Sequence, residues 1–192
     1  TAQVWNNVVV NNMIWNCPGS GTYPGGLCLR RVTGSTVSNN SILMPVGSAN
    51  PGLHIMAAVL AVTPPVGAAA EVSNNMVKHL GTGGCVAFDV TTAVVPTIFD
   101  YNFYEAAGGG PVGKVSTTSY TTLANWQALA APSLAGKEVN SLAGSCGYLS
   151  ASDLHITPAS GGFLNGSPVA LVPDDIDHQG RTGTPCRGAD ET

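Results

Sequence analysis

Few residues in this chain can do chemistry. Asp89 follows the apolar run Val86-Ala87-Phe88, and Arg30-Arg31 follow Leu27-Cys28-Leu29. If both runs are strands separated by one intervening coil, the Asp89 carboxylate and the Arg30 and Arg31 guanidinium groups meet on one face. That pairs an acid or base with a charge-stabilising arginine. A surface ion pair has the same geometry, and clustered carboxylates of the kind that mark a site are not gathered here. No residue is therefore assigned a catalytic role, and the reading leans away from an enzyme.

The remaining acids concentrate near the end of the chain. Asp174, Asp175, Asp177, Asp190 and Glu191 fall close together, with Arg181 and Arg187 among them. A guanidinium fork accepts a carboxylate through two parallel hydrogen bonds, so Asp175, Asp177, Arg181 and Glu191 are expected to lock the last turn. Calcium is the ion such carboxylates would take, but no D-x-D-x-D-G loop is present, and no metal or other cofactor is assigned. His54, His79, His155 and His178 are scattered without H-E-x-x-H spacing, and Ser145 sits in Ala143-Gly144-Ser145-Cys146-Gly147, which is not a nucleophile elbow. The glycine runs at 81–84 and 108–110 lack the phosphate-cradling patterns and read as turns.

Composition narrows the classes further. Of 192 residues only 9% are charged, 44% are hydrophobic and the net charge is −4. Seven basic residues give no electrostatic footprint for nucleic acid. The apolar stretch 53–70 is interrupted by His54 and Pro64-Pro65 and falls short of a membrane span, so no membrane insertion is expected. The five cysteines show no C-x-x-C pair. Cys17 and Cys28 flank a Gly/Pro-rich loop and are the one pair placed to form a disulfide in an oxidising compartment.

The elements that must position these groups are legible as a repeat. Asn11-Asn12-Met13-Ile14, Asn39-Asn40-Ser41-Ile42 and Asn74-Asn75-Met76-Val77 each follow a short β-branched run, as at Val8-Val9-Val10. Alternating with them are Gly26-Leu27-Cys28-Leu29, Gly52-Leu53-His54-Ile55 and Gly84-Cys85-Val86-Ala87-Phe88. Units of two or three short strands without a helical period are expected to stack as coils of a solenoid. Asparagine tolerates the left-handed backbone of a tight corner, and its amide can bond its counterpart one coil away. Asn12, Asn40, Asn75 and Asn102 are thus expected to form an internal ladder.

These Asn-Asn repeats resemble those of pectate-lyase-like, right-handed parallel β-helix proteins. Asp100-Tyr101-Asn102-Phe103-Tyr104 is similar to the D-Y-N-x-Y turn that ends the coil array in secreted bacterial members. Asp175-Ile176-Asp177-His178-Gln179-Gly180-Arg181 followed by Gly188-Ala189-Asp190-Glu191 is similar to their closing motif, although His178 replaces the usual glycine and Cys186-Arg187 the usual Asp-Ile. The resemblance implies an all-β, single-stranded right-handed parallel β-helix from the C-terminal part of an array. Residues 1–110 would form coils with Asn-ladder turns, and residues 111–192 the terminal coils and closing segment of the same domain. It also implies a secreted or cell-surface structural or adhesive module, a segment of a larger filament or surface protein whose partners are other coils and polysaccharide. The alternative it carries is a polysaccharide lyase or glycoside hydrolase.

Overall fold

The computed structural model describes residues 7–17, 25–30, 34–56, 71–89, 96–129, 134–157, 165–181 and 183–190. Along the chain the strands come in sets of three. The first set is β1 (Val8–Val10), β2 (Met13–Trp15) and β3 (Leu27–Arg30), and the second is β4 (Thr36–Ser38), β5 (Ser41–Met44) and β6 (Leu53–Met56). β7 (Glu71–Ser73), β8 (Met76–His79) and β9 (Val86–Phe88) follow, then β10 (Ile98–Asp100), β11 (Phe103–Ala106) and β12 (Gly113–Val115). The chain closes with β13 (Thr118–Tyr120), the one-turn helix α1 (Leu123–Gln127) and β14 (Leu142–Ala143).

Each set contributes one strand to each of three sheets, ordered β1-β4-β7-β10, β14-β11-β8-β5-β2 and β13-β12-β9-β6-β3. All neighbours are parallel except β12 and β13. The protein is therefore all-β in its described residues apart from α1, with the chain returning to each sheet once per circuit.

Register stacks like on like. Val9, Val37, Val72 and Phe99 form one row, and Ile14, Ile42, Val77 and Tyr104 a second. In the third sheet Leu29, Ile55, Phe88 and Val115 line up beside Leu27, Leu53, Val86 and Gly113. From the second circuit onward these rows are almost entirely sealed from solvent and make the core. The alternation of inward apolar residues with outward residues of mixed size and polarity follows from the period-two geometry of a strand.

The core ends at an aromatic plug. Trp126, fully buried on α1, stacks on Phe88 at 5.9 Å and meets Tyr120 edge-on at 5.8 Å, while Phe88 meets Phe99 edge-on at 5.7 Å. Thr122 caps α1 by accepting from Asn125 N. Gly113 is what lets the indole descend onto β12, since a Cβ there would lie 2.2 Å from Trp126 Cε3. Gly113→Ala is expected to lower the free energy of unfolding by about 1–3 kcal/mol through overpacking, readable as a shift in urea midpoint. An unchanged midpoint would mean that the indole does not seat on β12.

One sequence expectation fails here. No disulfide joins Cys17 to Cys28. The first follows β2 and directs Sγ toward Trp15 O, the second lies on β3 in a different sheet with Sγ 3.3 Å from Met56 Sδ, so the thiols face different neighbours.

Candidate functional site

The feature that unites the most distant parts of the chain is the corner between the first two sheets. At each circuit a residue with positive φ turns the chain there: Asn11 (54°), Asn39 (55°), Asn74 (54°) and Tyr101 (59°). Asparagine reaches this left-handed region more cheaply than other side chains. The turn sends the next residue, Asn12, Asn40, Asn75 or Asn102, toward the interior.

Those inner amides are linked one to the next. Asn12 Nδ2 donates to Asn40 Oδ1 at 2.8 Å, Asn40 Nδ2 to Asn75 Oδ1 at 2.9 Å, and Asn75 Nδ2 to Asn102 Oδ1 at 3.1 Å. The backbone N–H of each donor residue joins the same oxygen, at 3.1, 3.2 and 3.0 Å. Asn40, Asn75 and Asn102 are completely buried.

The run of donors ends on a carboxylate. Asn102 Nδ2 donates to Glu138 Oε1 at 3.2 Å, and Tyr104 Oη donates to the same oxygen at 2.8 Å. Glu138 is fully buried, stands at φ 59°, and its Oε2 has no hydrogen-bond partner. Burial pushes its pKa up to about 7, against the opposing bonds from Ser141, Tyr104 and Asn102, while the nearby Asp100 charge adds to the rise. Sequence reading missed this residue. No sequence signal singles it out, because the ladder steps of 28, 35, 27 and then 36 residues are too uneven to place the fourth on one residue.

The outward-facing corner residues hold the end of the chain. Residues 165–181 and 183–190 run as a strap past all four corners. Arg187 Nε donates to Tyr101 O at 2.7 Å, Gly188 N to Asn74 O at 2.7 Å, and Asn74 Nδ2 to Ser167 O at 2.6 Å. Asn39 Nδ2 reaches Cys186 O, and Asn11 Nδ2 reaches Asp174 O at 2.7 Å. Cys186, Cys146 and Ile156 bury Met76 and Phe103 beneath them. Gly188, at φ 91°, passes so close that a Cβ would lie 2.8 Å from Met76 Sδ.

Among the described residues the two closing arginines donate to carbonyl oxygens, while the expected partner Glu191 lies outside them. Arg181 donates to the backbone oxygens of Asp174, Cys186 and Gly188, and to Asn11 Oδ1. Arg187, buried, donates to the carbonyls of Tyr101, Asn140 and Asn165. A strap with little sheet pairing of its own leaves carbonyls in need of donors, and a guanidinium supplies several at once. Asp175 Oδ1 caps the turn by accepting from Asp177 N and Gln179 N.

The register sets the catalytic candidates Arg30 and Asp89 in one row with Met56 between them. Asp89 lies level with Met56 of β6, and its Oδ1 is held by His54 Nε2. Arg30 is in register with Met56, but its side chain and all of Arg31 lie outside the described residues. Elsewhere Lys78 pairs with Glu105 at 2.9 Å, beside a depression of about 410 Å³ lined by Tyr104, Glu105 and Ser145. A second groove, about 350 Å³, is walled by Trp15, Leu43, Pro45, Val46 and Leu80.

Among the described residues one group of side chains could hold a metal ion. Ligand atoms of His155, Asp177 and Asp190 lie within 4.8 Å of one another. Protein partners already account for these groups: His155 Nε2 is 3.1 Å from Asp177 Oδ2, His155 Nδ1 is 2.5 Å from Asp153 Oδ1, and Asp190 Oδ2 accepts from Ile156 N. An imidazole also suits calcium poorly, since that ion takes oxygen ligands. The hydrogen bond to Asp153 raises the pKa of His155. Its ion pairs therefore stabilise the fold below pH 6.5, and that contribution fades as pH rises through the elevated value. An NMR titration is expected to show an elevated His155 midpoint in the wild type that falls toward 6.5 in Asp153→Asn; a midpoint unmoved by the substitution would remove Asp153 as its cause.

No helix among the described residues is long and apolar enough to cross a membrane. No protein-family model, no curated protein and no solved structure matches this chain.

Proposed function

We propose that this chain is the terminal part of a right-handed parallel β-helix serving as a structural or adhesive module in a secreted or cell-surface bacterial assembly. The observation that carries the reading is the asparagine ladder running through parallel strands and ending on Glu138 beneath the Trp126 plug. Right-handedness follows from the strong bias of parallel crossover connections. The residues given to this scaffold are its corners, ladder and strap, and the motif order resembles that of extracellular β-helix proteins. Polysaccharide is the soluble partner class, with the groove beside Trp15 offering an exposed aromatic face for a sugar ring.

The module is assigned no catalysis and no cofactor. Incubation with acidic and neutral polysaccharides is expected to give weak retention without release of shorter or unsaturated products. Cleavage abolished by Asp89→Asn would replace this reading with that of a lyase or hydrolase. Treatment with EDTA is expected to leave Tm unchanged. A fall in Tm that calcium or zinc restores would instead place a structural ion at His155, Asp177 and Asp190.

A further inference from the structure

The coils beyond β10, β11 and β12 are covered by three elements that follow them in the chain. β13 folds back antiparallel on β12, α1 seats its indole on Phe88, and β14 adds to β11. The Glu138 turn fastens this cover together, since Gln127 Nε2 donates to Glu138 O at 2.6 Å and to Ser141 O at 3.4 Å. It also fastens the cover to the coils, with Glu138 N donating to Phe99 O and Leu142 N to Asn102 O. Among the described residues two buried side-chain nitrogen or oxygen atoms lack a hydrogen-bond partner, Trp126 Nε1 and Glu138 Oε2, and both belong to the cover. A polar atom sealed from water without a partner costs free energy that exposure returns. The cost at the indole is the same at every pH, whereas the cost at the carboxyl grows when it takes up charge.

The groups packed around Glu138 do not neutralise a charge there. On β10, Asp100 is a second negative charge, and its carboxylate accepts from Asn140 N and Asn140 Nδ2 across the same turn. On β11, Tyr104 donates to Glu138 Oε1 and is itself kept neutral by burial. Lys114 of β12 directs Nζ to Thr82 O, and Lys137, next to Glu138 in the turn, directs its own to Thr97 O. α1 contributes no titratable side chain. From the strap the Arg187 guanidinium brings a positive charge whose field reaches Glu138, and it donates to the carbonyls of Tyr101, Asn140 and Asn165. Burial outweighs these neighbours, which is why the carboxyl holds its proton up to about pH 7.

We propose that β13, α1 and the Glu138 turn form a proton-operated cover. It is seated while the Glu138 carboxyl keeps its proton, and it lifts as a unit from β10, β11 and β12, with the earlier coils intact, when that carboxyl ionises. Lifting passes the proton to solvent, hydrates Glu138 Oε2 and Trp126 Nε1 together, and separates the new carboxylate from Asp100. It bares the outer edges of three parallel strands that the cover otherwise pairs or shields. The sign follows from linkage: the seated state binds the proton more tightly than the lifted one, so the cover is held in acid and loosens as pH rises toward neutrality. Units of this size open separately from the rest of a fold when few contacts hold them.

Native-state hydrogen exchange at low urea concentrations tests this on the wild-type chain. At pH 7 the Ala128, Glu138 and Leu142 amides, bonded within the cover or between it and the coils, are expected to exchange about tenfold or more faster than the Met76 amide, which is bonded between coils. Their exchange is also expected to depend little on urea, because lifting exposes only the surface of the cover. Cover and coil amides that share one opening equilibrium and one urea dependence at pH 7 overturn the proposal. After correction for the intrinsic chemical rate, opening at the cover amides is expected to rise on the order of thirtyfold from pH 5 to pH 7, the change that one proton held to about pH 7 produces. Glu138→Gln is expected to abolish that rise and to keep the cover amides protected at both pH values. No rise in the wild type, or the same rise in the variant, overturns the proposal.

Discussion

Asn75→Ala is expected to destabilise the protein by about 4 kcal/mol, the cost of leaving several buried polar groups without partners. Asn75 Oδ1 accepts from both Asn40 N and Asn40 Nδ2, and Asn75 Nδ2 donates to Asn102 Oδ1, Val37 O and Ser73 O. Truncation strands donors of a residue that is itself completely buried. It also deprives the corner of the left-handed turn of its interior anchor, since Asn74 directs its own amide outward to Ser167 O. The Val37, Val72 and Ile42, Val77 rows flank the vacancy, so little room exists for water to repair it. Asn12→Ala is the internal control. It removes the same chemistry from an exposed position and is expected to cost less than about 1 kcal/mol. Urea denaturation of both variants gives the comparison, and equal midpoint shifts would mean that the ladder does not act as a buried network.

Glu138 is expected to make stability fall as pH rises, opposite to the usual behaviour of a surface carboxylate. Its pKa is about 7 in the fold against 4.5 for the free side chain, so the folded state binds the proton more tightly. The contribution is fully present below pH 4.5 and is lost progressively until the group ionises in the fold near pH 7, a difference of about 3 kcal/mol. The physical origin is a carboxyl sealed beneath the ladder, with Oε1 accepting from Asn102 Nδ2 and Tyr104 Oη and with Oε2 unpartnered. Asp100 lies close enough to oppose its ionisation, while Tyr104, whose own pKa is raised by burial, stays neutral. Asp153 acts in the opposite sense, since its lowered carboxyl favours stability above its ordinary range, whereas the raised His155 imidazole, like Glu138, favours it below its own. The Glu138 effect is therefore isolated by subtraction. Glu138→Gln keeps an oxygen acceptor at the ladder's end and is expected to remove the decline in stability between pH 4.5 and 7. A decline of the same size in the variant would assign it to another group.

Much of the strand content and the corner positions was legible in the residues, because both depend on local preferences. Val8-Val9-Val10 or Ser41-Ile42-Leu43 favours an extended backbone wherever it sits, and Asn11, Asn39 and Asn74 enter the left-handed region because their side chains tolerate it. The sequence reading placed the ladder on the second asparagine of each pair, whereas the tie from the first asparagine to the strap was not legible. The first asparagine ties the strap and the second builds the ladder, and only the direction of the turn separates them.

The sequence by itself determined short strands, their inward and outward faces, and turns at the asparagine pairs. Tertiary structure alone decided that Glu138 terminates the ladder, that Arg181 and Arg187 serve carbonyls, that Asp89 meets His54, and that Cys17 and Cys28 stay apart. The physical reason is distance along the chain. A residue's backbone preference is set by its own side chain and its immediate neighbours, whereas these partners are brought together by register, and register accumulates the lengths of loops that vary from one circuit to the next. Ladder steps of 28, 35, 27 and 36 residues show how far that variation goes. Parallel pairing across the three sheets absorbs each difference in the connecting loops and returns the ladder residue to the same corner.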